Sequence, residues 1–274
     1  MIEVLNTVIC YNNVEEVTNY VKKIEKLVSS DKVAVAVVIN KLENEKKEYL
    51  EKKLSEINVQ TYLADPNENL GYLNGMIYGY KHFIKNYDST NLRYVVMSNT
   101  DINYPDNRFF ECLLSKEYDN DIWSIGPSVY APGRKNYDNP ACETRRSKKK
   151  VRSIIRRFRI PVFNELYFHL AELKGKCVKR NRGKSHKVYE VHGCYFIIKK
   201  QLADLMIKKP FGALLYSEEA YVAEMVWHNN KTAYYDAELL VEHIEHTVTG
   251  KMDYKQIANY IADSMEVIMK DFYE

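Results

Sequence analysis

Seven consecutive apolar residues, Val33 to Ile39, run without polar alternation. A strand of that kind needs cover on both faces, which is the condition of a parallel sheet between two helical layers. The neighbouring sequence supplies such layers. Val4 to Cys10 is a first apolar run ending at Tyr11-Asn12-Asn13. Val14, Val17, Val21, Ile24 and Val28 then recur at helical spacing, with Glu15 and Glu16 in the favourable first turn. A charged helix over 43–54 and a third strand over 59–63 follow. This β-α-β-α-β alternation predicts a doubly wound, Rossmann-like α/β fold with a mostly parallel central sheet flanked by helices.

The fourth strand, Tyr94 to Ser98, ends abruptly in Asn99-Thr100-Asp101. In open α/β sheets ligands bind outside the carboxyl ends of the strands. A carboxylate there can hold a hard divalent cation, although an Asp in a turn after a strand is also common. Before it, Asn69-Leu70-Gly71 and Gly75 border the start of a helix carrying Leu73, Met76, Ile77, Tyr80 and Ile84 on one face. The backbone N–H groups at such a terminus can meet an anion; Gly71 can equally serve a turn at positive φ.

The second half reads less regularly. Ile122 to Ile125 is a strand, and 126–147 is a long loop with Pro127, Pro132, Gly133 and Pro140. The net charge is only +3, yet 145–159 carries nine Lys or Arg and no acid. Val151, Ile154, Ile155 and Phe158 form an apolar stripe there, the pattern of an interfacial membrane helix. A short helix over 162–173 and a basic loop over 174–187 are expected next. Val188 to Ile198 reads as a strand with Gly193 in its middle, which signals close approach of a ligand or backbone. Ser217 can cap a helix opening with Glu218-Glu219. Either acid could deprotonate a hydroxyl, or serve only the helix dipole. Short strands over 232–235 and 239–242 lead to His243 and His246, candidate metal or phosphate contacts or merely packed histidines. An amphipathic helix over 253–272 ends the chain.

No apolar run reaches the roughly 18 residues of a spanning helix, and the N-terminus lacks the features of a signal peptide. The five cysteines form no CxxC pair, so reduced thiols in the cytoplasm are expected, without a zinc site.

In order and spacing, these pieces resemble the family-2 glycosyltransferases of the GT-A fold, most closely the bacterial rhamnosyltransferase-like branch. The matching stretches are Cys10-Tyr11-Asn12, Asn69-Leu70-Gly71 with Asn74-Gly75, and Asn99-Thr100-Asp101 in place of the DxD motif. They continue with Val191 to Lys200 around Gly193, Pro210-Phe211-Gly212 through Tyr216-Ser217-Glu218-Glu219, and Val241-Glu242-His243. The resemblance implies one GT-A domain over 1–274. Its nucleotide-binding half would be 1–125, and its acceptor-side half 126–250 with a basic helical insertion at 145–187. The last part, 251–274, would be the C-terminal helix.

It further implies a metal-dependent, inverting hexosyltransferase that moves a sugar from a nucleotide-diphosphate donor to a hydroxyl of a glycan or lipid-linked acceptor, in bacterial surface polysaccharide or glycolipid synthesis. Asp101 and His243 would hold Mg²⁺ or Mn²⁺. Glu219 would be the base, with Glu218 its neighbour and alternative. Tyr11, Asn40, Asn69, Gly71, Asn99 and Gly193 would line the donor site. Asn40 stands where the family usually has an aspartate contacting the nucleoside, and Asn99 leaves one acid in the DxD position. The cationic helix would hold the protein peripherally on the cytoplasmic leaflet. Two other classes fit parts of the sequence: a non-catalytic nucleotide-sugar or glycan-binding relative, and a basic nucleic-acid-binding protein. The apolar stripe, with Phe158 its lone aromatic, favours a membrane over nucleic acid.

Overall fold

The computed structural model describes residues 1–160, 164, 167–170, 179–244 and 252–274. His246, most of the helix expected over 162–173 and the start of the basic loop at 174–178 lie outside the described residues.

Among the described residues, ten strands form one sheet: β1 (Val4–Cys10), β2 (Val33–Ile39), β3 (Gln60–Ala64), β4 (Tyr94–Ser98), β5 (Ile102–Asn103), β6 (Ile122–Ala131), β7 (Asn136–Tyr137), β8 (His186–Val188), β9 (Tyr195–Lys199) and β10 (Thr232–His243). The order is β3-β2-β1-β4-β9-β6-β10-β5, with β7 on β6 and β8 on β10. β1, β2, β3 and β4 run parallel. β9 opposes both β4 and β6, and β10 runs parallel to β6, so six strands point the same way. Only β9 and the short β5, β7 and β8 oppose them. The mostly parallel central sheet expected from the alternation is present.

Helices cover both faces. On one side lie α1 (Val14–Glu25), α2 (Asn44–Ser55) and α4 (Phe109–Ser115); their apolar residues join Val33, Val35, Val37 and Ile39 in one buried cluster. On the other lie α3 (Leu73–Asn86), α6 (Lys200–Lys208), α7 (Glu218–His228) and α8 (Tyr254–Phe272), packed with Ala34 and Ala36. The alternation of β2 between the two clusters is why its seven residues are all apolar and all buried.

Three sequence expectations change. The strand expected over 188–198 is interrupted. It is β8 and β9 with a non-strand segment between them, where Glu190 bridges to Cys142 and the chain turns at Gly193. The two strands expected after residue 230 are one strand, β10, whose register slips between Asp236 and Leu240. Part of the long loop is strand as well, because β6 extends to Ala131 and β7 pairs back on it.

The largest correction concerns α5 (Lys148–Arg159). Its stripe is not presented to a membrane. Val151 joins the core cluster beside Met265 and Ile268 of α8, and Phe158 packs with Ala258 and Ala262 of the same helix. Ile154 and Ile155 pack between them. The positive charges are partly engaged too. Arg145 makes a bidentate pair with buried Glu224 at 2.9–3.2 Å, and Arg146 grips buried Glu190. Lys148 donates to the Tyr273 carbonyl at 2.6 Å, and Arg159 reaches Asp263 and Glu266 at 2.6–2.9 Å. A helical period marks a face that needs covering; it does not say whether lipid or another helix covers it. Phe158→Ala is therefore expected to destabilise the protein by about 3 kcal/mol in lipid-free buffer, as a truncated buried aromatic does. A denaturant midpoint unchanged by this substitution would refute the packing role. No described helix is long and apolar enough to cross a membrane.

Candidate active site

The parallel strands end on one edge, and the polar residues that follow them converge there. The short β5 makes the decisive contact. It pairs antiparallel with the end of β10, setting Ile102 opposite His243, and Ile244 N donates to the Asp101 carbonyl at 3.0 Å. That register brings two side chains 142 residues apart in sequence into contact: His243 Nε2 lies 3.3 Å from Asp101 Oδ2, both side chains only 11% exposed. Among the described residues, Asp101 Oδ1 and both His243 ring nitrogens have no hydrogen-bond partner. Buried polar atoms are rarely left so. A carboxylate and an imidazole with unpartnered atoms fit as two ligands of a divalent cation, the remaining positions falling to phosphate oxygens and water. No group of three acidic, histidine or cysteine residues able to hold a metal occurs among the described residues.

Beside this pair opens a cleft of about 280 Å³. Tyr11, Asn40, Asn69, Gly71, Asn99 and Asp101 all line it. Their roles in holding it differ. Asn40 is buried, and both ends of its amide are engaged: Nδ2 donates to the Gly71 carbonyl at 2.6 Å, and Oδ1 accepts from Leu70 N at 3.3 Å. It fastens the 69–71 loop to the sheet edge. Asn69 Oδ1 accepts from Gly71 N at 3.0 Å. Gly71 sits at φ +76°, and a Cβ there would lie 2.0 Å from the Leu214 carbonyl oxygen. Only glycine satisfies both the left-handed backbone and that approach. Tyr72 N donates to the same carbonyl at 3.2 Å, so the loop from β3 and the loop before α7 are joined across the cleft. Gly75 serves packing of α3, its absent Cβ leaving room for the Ile9 side chain, and does not line the cleft.

The acid pair arrives by an unusual turn. Tyr216 and Ser217 are both left-handed, at φ 68° and 60°, although neither is glycine. Such conformations persist where surrounding structure enforces them, often at functional sites. Ser217 occupies the cap position of α7, but its hydroxyl makes no capping bond. Glu218 is buried and Glu219 half-buried. Burial, with the charge of Glu219 beside it, pushes Glu218 up to about 8. Burial, with the nearby Glu190 carboxylate, pushes Glu219 up to about 7, the Arg146 guanidinium partly opposing the rise. Neither acid lines the cleft itself; a carboxylate held near neutrality is nonetheless suited to proton transfer.

Gly193 now acquires a physical reason. A Cβ on it would stand 2.8 Å from Glu219 Oε2. The glycine makes space for the carboxylate, and Tyr72 holds its carbonyl through a 3.2 Å hydroxyl hydrogen bond. Gly193 is not among the residues lining the cleft. Two neighbours carried no signal in the sequence. Tyr72 lines the cleft. His192 has its ring centroid 6.1 Å from that of His243 and accepts from Cys194 N through Nδ1 at 3.2 Å. Each adjoins a glycine of the resemblance, Gly71 or Gly193, which was the one clue available.

No protein-family model matches the chain, and no curated protein matches it in sequence. Solved structures do match in fold. One is the mannosyltransferase PcManGT from Pyrobaculum calidifontis in complex with GDP-Man and Mn²⁺, at TM-score 0.56 and 14% identity, over 92% of this chain and 58% of that one. Another is GalNAc-T7 with UDP, GalNAc and Mn²⁺, at TM-score 0.61 and 10% identity, over 89% of this chain and 44% of that one. The chain thus spans about half the length of each. With its mixed, mostly parallel sheet between helical layers, it has the GT-A fold of these glycosyltransferases.

Proposed function

We propose that the protein is a glycosyltransferase that takes a nucleoside-diphosphate sugar and passes the sugar to a hydroxyl acceptor. The observation that carries this reading is the Asp101–His243 pair, buried with unpartnered atoms beside the cleft, on the sheet edge where β4 and β10 end. The two solved neighbours, which hold nucleotide or nucleotide sugar with Mn²⁺, support it. A divalent cation on Asp101 and His243 would supply charge neutralisation to the diphosphate. Glu219 is the group we assign to take the acceptor proton, its carboxylate fitted against Gly193 and titrating near 7. Glu218, more deeply buried and pushed up to about 8, is the alternative base. We read the reaction as inverting and the acceptor as a glycan or lipid-linked glycan of surface polysaccharide synthesis, following the sequence resemblance.

The test is a panel of UDP-, GDP- and dTDP-sugars with Mn²⁺, scoring release of the nucleoside diphosphate. Release from one member supports transferase chemistry. Binding without release with every acceptor class tried would make the protein a non-catalytic relative. A steeply salt-dependent affinity for RNA or DNA, with no response to any nucleotide sugar, would replace the proposal altogether.

A further inference from the structure

The basic stretch at 145–159 opens with two adjacent arginines, and each reaches a buried acid. Arg145 pairs with Glu224 of α7, and the Tyr189 hydroxyl donates to the same carboxylate at 2.5 Å. Arg146 grips Glu190 through both terminal nitrogens, Nη2 to Oε1 at 2.9 Å. The Glu224 and Glu190 side chains are only 1% and 2% exposed. The Tyr273 hydroxyl, at the end of α8, donates to the Arg146 carbonyl at 2.8 Å and to Glu224. Glu190 is pinned through its backbone as well: its N–H donates to the Cys142 carbonyl at 3.0 Å, and its carbonyl accepts from Ala141 N and Cys142 N at 3.1 and 3.2 Å.

These two acids belong to the two elements that hold Glu219. Glu224 follows it on α7. Glu190 precedes Gly193 in the segment whose missing Cβ makes room for the Glu219 carboxylate. The Tyr189–Glu224 hydrogen bond joins that segment to α7. The groups facing Glu219 come from three elements: Glu218 beside it on α7, Glu190 and Cys194 from the 188–195 segment, and Arg146 from the start of the basic stretch. Burial pushes the Cys194 thiol well above its usual range, so it stays neutral, as does the Tyr72 phenol bonded to the Gly193 carbonyl. His192 turns instead toward His243, ring centroids 6.1 Å apart. That leaves Arg146 as the cation of the set among the described residues. A guanidinium keeps its charge at every working pH, and the bidentate grip of Glu190 fixes where that charge stands.

We propose that Arg146, held in place by Glu190, is a positioning residue for Glu219: the ion pair seats the segment carrying Gly193 against α7 and governs how readily the base takes the acceptor proton. This rests on the assignment of Glu219 as base and extends it to the arginine that opens the basic insertion. A neighbouring cation favours the carboxylate form and a neighbouring anion disfavours it, so the two members of the pair act on Glu219 in opposite senses.

The alternative is a buried clamp that only fastens α5 to the sheet. The roles separate in the pH profile of kcat/KM and, without turnover, in the pH titration of the Glu219 side-chain carboxyl by ¹³C NMR, its resonance assigned by loss in Glu219→Gln. Arg146→Gln should move the inflection up from about 7 by about one pH unit, and Glu190→Gln should move it down by a similar amount. The double substitution should bring it back toward 7, and Arg146→Lys, which keeps the charge, should stay closer to the wild type than Arg146→Gln. Glu224→Gln loosens an equally buried pair and should lower the melting temperature while leaving the inflection in place. Glu190→Gln retains an acceptor for Arg146 and carries the test alone should Arg146→Gln not fold. An inflection unmoved in Glu190→Gln, or shifts of the same sign in both single variants, overturns the proposal and leaves a structural clamp. Opposite shifts by NMR in a protein that turns over no nucleotide sugar would sustain the pairing with Glu219 while the transferase reading falls.

Discussion

Glu219→Gln should be nearly inactive and more stable than the wild type at neutral pH. The activity loss expected is about 10²–10⁴-fold in kcat, the range associated with a positioned general base, with nucleotide affinity unchanged because Glu219 is not among the residues lining the cleft. The stability gain follows from linkage. The Glu219 carboxyl rises from its ordinary 4.5 to about 7 in the folded protein because burial disfavours its charged form. Below pH 4.5 both folded and unfolded chains hold the proton, and Glu219 makes no difference. As pH rises from there to 7, the unfolded chain releases a proton that the folded chain keeps. Folding stability therefore falls across that window, and the full penalty stands above it. Glutamine carries no such penalty. It also removes a like charge from the neighbourhood of Glu218, whose own elevation should shrink. Melting temperatures of the two proteins should coincide near pH 4 and diverge in favour of the variant near pH 8. The wild-type kcat/KM should rise with pH through an inflection near 7. An inactive variant with a lower melting temperature at both pH values would point to lost structure rather than a lost base, and a pH-independent wild-type rate would remove Glu219 from the proton-transfer role.

That carboxylate also shows what a sequence can and cannot disclose. The sheet was legible because β2 and β4 are apolar on both faces, and such strands fit few architectures. The sequence alone therefore locates their carboxyl ends, and Tyr11, Asn40, Asn69, Gly71, Asn99 and Asp101 do line one cleft. The two-residue β5 was invisible, since a pair of residues has no period. Yet its pairing is what sets Asp101 against His243. The 188–198 run, apolar and β-branched at both ends, concealed the turn at Gly193. The glycine signal was sound, but the group approaching it is the Glu219 side chain. The stripe on α5 has the pattern of an interfacial membrane helix, yet another helix covers it; α8 lies more than ninety residues away in sequence, and the pattern of one helix carries no information about its partner. The side-chain hydrogen bonds of Asn40 were equally out of reach: the family resemblance marked it as a nucleoside contact, whereas tertiary structure engages both ends of its amide.

Asp101→Ala should remove divalent-metal binding and, with it, catalysis. The physical basis is the small number of protein ligands. With Asn99 in the DxD position and no group of three acidic, histidine or cysteine residues able to hold a metal among the described residues, Asp101 is the carboxylate of the pair that would bring negative charge to the cation. Imidazole is neutral as a ligand, so His243→Ala should weaken the ion less than Asp101→Ala, and by an amount that depends on the metal. Nitrogen ligands favour Mn²⁺ over Mg²⁺, which prefers an all-oxygen shell. The wild type should therefore bind Mn²⁺ more tightly than Mg²⁺, and His243→Ala should narrow that gap, whereas Asp101→Ala should abolish both. Titration of free Mn²⁺ by electron paramagnetic resonance, in the presence of a saturating nucleoside diphosphate, reads this without any turnover. Loss of the carboxylate should cost at least about 10²-fold in kcat/KM, consistent with the several kcal/mol that a metal contributes by stabilising a developing charge. Each substitution removes buried atoms without hydrogen-bond partners, Asp101 Oδ1 in one case and the His243 ring nitrogens in the other, and also one side of the 3.3 Å contact between them, so the melting temperature in metal-free buffer should fall by no more than a few degrees. Stability retained while Mn²⁺ affinity disappears would mark the pair as ligands. Unaltered Mn²⁺ binding in Asp101→Ala would instead make the Asp101–His243 contact an ordinary ion pair, and the cation would have to be sought elsewhere.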